Sequence, residues 1–264
     1  MKKITISLLS LVALSAMATA GGVSTTDVEA KYSNNNSVSA TSNLEQSFNA
    51  GFSSTTGNTK TLNVNGKYDA SFITTGYNNH ELKTAFDVSA FMTKNNSVKD
   101  NEEYTANLGL EQMLVNGWLG YAGVNWLRNP DFRNYDNKFA VGAGIGKELY
   151  KDAKQSLVAK LGTSYNLEQY ANTQADADFG ALNEYLEYTN KLNSVSKFFL
   201  KVGSMQNFDN MSNDYEATGV LGVNFAVGEN VSLSLEEEVA YDNLPAIGFK
   251  KTDTKSIVRL GYHF

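Results

Sequence analysis

The 264-residue chain carries 22 Lys+Arg against 28 Asp+Glu, has no cysteine, and combines 21 glycines with 14 tyrosines and 14 phenylalanines. The acidic balance argues against nucleic acid as a partner, and without cysteine neither a disulfide nor a lipid-anchored amino terminus is expected. Beyond residue 20 no run of about eighteen apolar residues occurs, which excludes a helical membrane span but leaves alternating strands with aromatic girdles open.

Lys2 and Lys3 precede an apolar run from Ile4 to Ala16 that closes on Ala18-Thr19-Ala20. This three-part layout predicts a signal peptide over residues 1–20, cleaved after Ala20, because the apolar run is too short to anchor the chain. Loss of the two lysines takes the net charge from −6 to −8. Residues 21–42 are small, polar and aperiodic, and read as a flexible arm.

From Asn43 onward the period is two. Leu62, Val64, Gly66, Tyr68, Ala70 and Phe72 alternate with Thr61, Asn63, Asn65, Lys67, Asp69 and Ser71, which describes a strand with one apolar and one polar face. The same alternation predicts strands over 44–54, 59–74, 80–93, 103–115, 117–127, 135–149, 155–169, 177–190, 194–206, 214–227, 230–241 and 253–264. Connections after even strands are short (TGYNN, the Asn116-Gly117 turn, KDAK, KLNS, GEN), whereas most of those after odd strands are longer and more charged, TKNNSVKDNEE and DNLPAIGFKKTD among them. Sorting of connections by parity predicts an all-β, antiparallel transmembrane barrel of about twelve strands over residues 43–264, with both termini periplasmic.

Trp118 and Trp126 share one strand face about 26 Å apart, with Gly120, Ala122 and Val124 between them, as an aromatic girdle at two membrane interfaces requires. The chain ends on Phe264, with Val258, Leu260 and Tyr262 on the same face. Tyr262 and Phe264 extend the girdle. The pattern of the four residues resembles the signal read by the outer-membrane barrel assembly machinery, so that machinery is an expected partner, together with outer-membrane lipid. No subunit interface is apparent, and a monomer is the default.

Two blocks, GFSSTTGNTKTLNVNG from Gly51 to Gly66 and NLPAIGFKKTDTKSIVRLGYHF from Asn243 to Phe264, resemble the opening and closing segments of the domain-of-unknown-function 481 family, the salt-induced outer membrane proteins. The resemblance implies a barrel in the outer membrane of a Gram-negative bacterium and transfers no catalytic residue.

Alternation assigns Lys67, Lys83, Lys138, Lys160, Lys197, Lys201 and Arg259 to the lumen, with Glu45, Asp69, Asp87, Glu111, Glu168, Glu216, Glu236 and Glu238. The signs nearly balance. The leading expectation is therefore a narrow passive channel for ions or small polar solutes with little charge selectivity; the alternative is a non-conducting structural or stress-adaptive barrel whose lumen is salt-bridged. An enzyme or adhesin is the third and weakest reading, because His80 and His263, the two histidines, both fall at the predicted periplasmic rim, whereas barrel hydrolases of the phospholipase kind place their chemistry toward the outer side. No cofactor or metal is expected: Gly142, Gly144, Gly146 and Lys147 lack the spacing of a phosphate loop, and Asp176 and Asp178 lack further calcium ligands. The glycines instead bare one strand face, making room inside the barrel. Glu237 shares the face of Leu233, Leu235 and Val239, so a bulge or a shifted register is expected there.

Overall fold

The computed structural model describes residues 44–264 except 57–61, 96–97 and 132; the expected signal peptide and arm lie outside the described residues. Twelve strands follow in order: β1 (Leu44–Thr56), β2 (Leu62–Thr75), β3 (Glu81–Asn95), β4 (Val98–Met113), β5 (Trp118–Asn129), β6 (Tyr135–Lys151), β7 (Gln155–Tyr170), β8 (Ala177–Lys191), β9 (Ser196–Asn207), β10 (Tyr215–Ala226), β11 (Val231–Asp242) and β12 (Thr252–His263). Each pairs antiparallel with its sequence neighbours, and β1 pairs with β12 from Ser47↔His263 to Thr56↔Thr254, which closes the barrel. Closure satisfies the edge donors and acceptors that lipid cannot. The seam extends to the last residue, whose N–H donates to the Gln46 carbonyl at 3.1 Å.

One end of the barrel carries both ends of the described chain and the connections 76–80, 114–117, 152–154, 192–195 and 227–230; we call it the turn end. The loop end carries the far ends of β1 to β4 and the described parts of the connections between residues 130 and 134, 171 and 176, 208 and 214, and 243 and 251. Two tight turns use left-handed backbone: Asn78 and Asn79 (φ 51° and 61°) before β3, and Asn116 and Gly117 (φ 58° and 73°) before β5. Asparagine and glycine tolerate that region, which is why Tyr77-Asn78-Asn79 and Val115-Asn116-Gly117 reverse the chain in so few residues.

The expected boundary that fails is the start of the fourth strand. β4 begins at Val98, five residues earlier than the alternation indicates, and β3 runs on to Asn95, so the stretch read as a long charged loop is mostly hairpin. A register shift between Thr93 and Lys94 carries the ladder through it. At the loop end a strand no longer needs an apolar outer face, and composition stops marking it.

The outer wall is apolar and exposed, with Val64, Val124, Val141, Ile145, Leu161, Leu235 and Leu260 among its residues, while the fully buried side chains include Lys67, Lys138, Lys201 and Glu103. This inversion of the soluble pattern is what lipid outside and polar groups inside require.

Candidate functional site

On the outer wall Trp118 is exposed, and the Lys147 ammonium stands 4.8 Å from the centre of its ring; Trp126 is half-buried and donates its Nε1–H to Asn137 Oδ1 at 3.0 Å. Tyr262 and Phe264 make an edge-on pair with ring centres 5.1 Å apart, and Leu260 and Val258 follow on the same face. Glu237 is reached by neither a bulge nor a shifted register. The ladder runs unbroken through Glu236↔Ile257, Glu237↔Ser256 and Glu238↔Lys255, so Glu237 faces outward and accepts a hydrogen bond from Ser256 Oγ. Glu184, an outward carboxylate that the alternation did not single out, accepts from Ser204 Oγ at 2.8 Å in the same cross-strand way.

The inner wall changes character along its length. In the turn half Glu45, Asp69, Lys83, Asp87, Glu111 and Lys197 are half-buried and line a charged vestibule. At mid-height Lys67 pairs with Asp69, Arg259 binds Glu236 at 2.6 Å and Asn65 Oδ1 at 3.1 Å, and Lys201 stands across from Glu187. The Lys160 ammonium bonds Glu111 and lies 5.5 and 5.2 Å from the ring centres of Tyr121 and Tyr185.

Toward the loop end the charges are buried and reach across the barrel. Lys255 on β12 bonds Glu103 on β4 at 3.0 Å and lies 3.8 Å from Glu238. Lys138 on β6 pairs with Glu168 and reaches Glu216 on β10 at 3.4 Å, where Tyr135 Oη also donates at 3.4 Å. Arg133 approaches the other Glu216 oxygen at 3.7 Å. Beneath connection 243–251 a cavity of about 20 Å³ remains among Arg133, Glu216, Asp242, Pro245 and Phe249. That is room for about one water molecule.

The inward glycines do not leave the wall bare, as the sequence implied. A Cβ on Gly144 would stand 2.7 Å from Tyr121 Oη and one on Gly162 would stand 2.3 Å from it, while a Cβ on Gly222 would lie 2.5 Å from Phe199 Cζ. The glycines seat aromatic rings; the room they make is already filled. Asp178 accepts from Tyr165 Oη and Asp176 from the Tyr170 N–H at 3.2 Å, so these two aspartates brace a loop rather than face one another. His80 and His263 lie at the turn end, the latter with Nε2 3.1 Å from Ser232 Oγ.

Residues 48–264 match the family described as Protein of unknown function, DUF481. The chain belongs to that family. Comparison with functionally described proteins gives no match in sequence. In fold this DUF481 barrel is similar to the NanC porin (TM-score 0.53, 8% identity, covering 81% of this chain and 98% of that one). It is also similar to the COG4313 outer membrane channel from Pseudomonas putida F1 (0.54, 10%, 88% and 100%). A third is the translocator domain of the autotransporter NalP from Neisseria meningitidis (0.50, 12%, 83% and 88%). The closed twelve-strand barrel with its exposed apolar wall places the protein in the outer membrane of a Gram-negative bacterium, with lipid against that wall.

The lumenal charges of the DUF481 barrel that escaped the alternation include Glu103, Arg133, Glu187, Asp242 and Lys255. Glu103 stands where the expected loop meets the first residue of the expected fourth strand, and Asp242 lies one residue past the expected end of its own. Arg133 sits in a connection. Lys255 and Glu187 do fall on inward positions of β12 and β8, and strict parity with Arg259 and Tyr185 would have found them.

Proposed function

We propose that this barrel is a narrow outer-membrane channel for ions and small polar solutes, constricted in its loop half by ion pairs that span the lumen. The observation that carries the reading is the contrast between the half-buried charged vestibule and the buried Lys255–Glu103 and Lys138–Glu216 pairs beyond it. A hydrophilic passage that narrows onto paired charges fits small, hydrated solutes and weak overall charge preference. The turn end, with its short connections, is assigned to the periplasm, so the constriction faces outward. The protein acts as a monomer after removal of residues 1–20 and insertion by the barrel assembly machinery, which reads Val258, Leu260, Tyr262 and Phe264. Catalysis is not part of the proposal.

The test is single-channel recording of the refolded mature chain in a planar bilayer. Small discrete steps are expected, and a larger conductance is expected after Glu103→Ala combined with Lys255→Ala, which removes both side chains of one bridge. The second reading, a structural barrel with a sealed lumen, is favoured by the same buried pairs. Silence of both the parent and the double variant, with folding verified by heat-modifiable gel mobility, would establish it instead.

A further inference from the structure

A row of cross-strand partners winds up the inner wall. It passes from Ser47 on β1 to Asp69, Asp87, Asn107, Asn125, Ala140 and Asn166 on β7, each the direct cross-strand partner of the one before. Strands spaced 4.8 Å apart and tilted by about 40° lift such a row by roughly 3 Å per strand, so six steps climb roughly 19 Å, most of the height of the apolar band. A single ladder row therefore connects the wet vestibule to the closed half.

The groups along that row are oxygen-rich and incompletely used. Asp87 is half-buried and accepts from Asn107 Nδ2 at 2.7 Å; its carboxylate makes no ion pair with the described residues. Because a carboxylate only accepts, this bond fixes the amide orientation and turns Asn107 Oδ1 away from Asp87. That oxygen has no partner among the described residues. The adjacent Asn125 is 1% exposed, and both its amide nitrogen and its amide oxygen lack partners there. Asn166 Oδ1 further up is in the same condition. Native proteins rarely leave buried amide groups unpaired, and the adjacent unpaired oxygens of half-buried Asn107 and buried Asn125 ask for a ligand at that point of the wall.

The donor set identifies that ligand. One carboxylate and neutral carbonyl oxygens suit a hard cation of low charge; calcium takes six to eight oxygens with more carboxylates, and an anion would meet repulsion from Asp87. Lys67 on the neighbouring strand is bound to Asp69, and its charge and that of Lys201 also act on Asp87, so a cation here shares the carboxylate's field with them. We infer that Asp87, Asn107 and Asn125 form a binding site for a small monovalent cation, sodium or potassium with its remaining water, and that the row beyond them passes the ion toward Asn166. The site rests on the channel reading for its role. It makes the passage from the vestibule cation-preferring although the lining as a whole is nearly balanced.

Two measurements on the full refolded barrel test this. The first is the reversal potential in a potassium chloride gradient for the parent, Asp87→Asn, Asn125→Leu and, as a control on the outer wall, Glu184→Gln. The expected result is a several-fold preference for potassium over chloride that falls toward one in Asp87→Asn and Asn125→Leu and persists in Glu184→Gln. Asp87→Asn keeps the side-chain shape, so the comparison survives if Asn125→Leu fails to fold. Current with an unchanged preference in Asp87→Asn overturns the site while the channel stands. The second is anomalous scattering from crystals soaked in thallium(I). If the barrel passes no current, a thallium peak beside Asp87 and Asn107 that is absent in Asp87→Asn upholds the site, and no peak overturns it.

Discussion

Lys255 on β12 and Glu103 on β4 meet across the lumen at 3.0 Å although 152 residues separate them. β1, β2 and β3 lie between their strands in the wall, so this ion pair is a chord of the barrel rather than a ladder contact. Removing one partner strands the other in a buried place. Lys255→Met is expected to destabilise the barrel by about 3–5 kcal/mol, because Glu103 and Glu238 are then left without their ammonium. Glu103→Gln with Lys255→Met should cost markedly less than the two single changes added together. Urea unfolding of vesicle-inserted protein, followed by tryptophan fluorescence, measures both; additive losses would show that the pair is not coupled.

The seat of Tyr121 predicts a steric effect. Gly144→Val places carbon atoms against the Leu161 carbonyl oxygen and Tyr121 Oη, and is expected to lower stability by about 1–3 kcal/mol. Ala122→Val, on the exposed outer face of β5, should be neutral within about 0.5 kcal/mol. Equal effects at the two positions would mean that the inner wall has room to spare at Gly144.

Glu237 gives the opposite sign. Its outward carboxylate is held by Ser256 in a wall of Leu235 and Val239, and Glu237→Leu is expected to raise stability by about 1 kcal/mol in lipid vesicles. The reverse change at a neighbouring outward site, Leu235→Glu, should lower it by about 1–2 kcal/mol. A loss of stability in Glu237→Leu would indicate that the Ser256 bond is worth more than the exposed charge costs.

A pH effect is expected at the turn end. The Tyr150 hydroxyl, followed by the N–H groups of Lys154 and Gln155 at 2.7 Å each, holds the Asp152 carboxyl below its ordinary range. A carboxyl whose folded value is depressed contributes stability above its unfolded value, and that contribution disappears as pH falls through the folded one. Asp152→Ala should therefore be less stable than the parent at neutral pH, with the difference closing below about pH 4. A difference that persists at pH 2 would assign the effect to chain geometry instead of charge.

Period-two alternation settled the architecture before any contact was known, because lipid demands apolar residues on one face of each spanning strand and leaves the other free. That demand placed β2 and β5 through β12 within three residues of their bounds and put Lys67, Lys138, Glu168 and Arg259 on the inner wall. Where lipid stops, the signal stops too, and so the five residues of β4 before Glu103 were missed and Glu103 itself was not assigned to the lumen.

The sequence by itself determined which residues face inward, since parity is a local property of an extended chain. It could not decide which inward charges meet. Pairing across the lumen depends on stagger between strands and on barrel diameter, quantities summed over all twelve strands, so that Lys255 finds Glu103 and Lys138 finds Glu216 only once β1 has closed on β12. Asp87, Asn107 and Asn125 are lined up more locally, by the register of the β3–β4 and β4–β5 hairpins, which residue parity alone does not give.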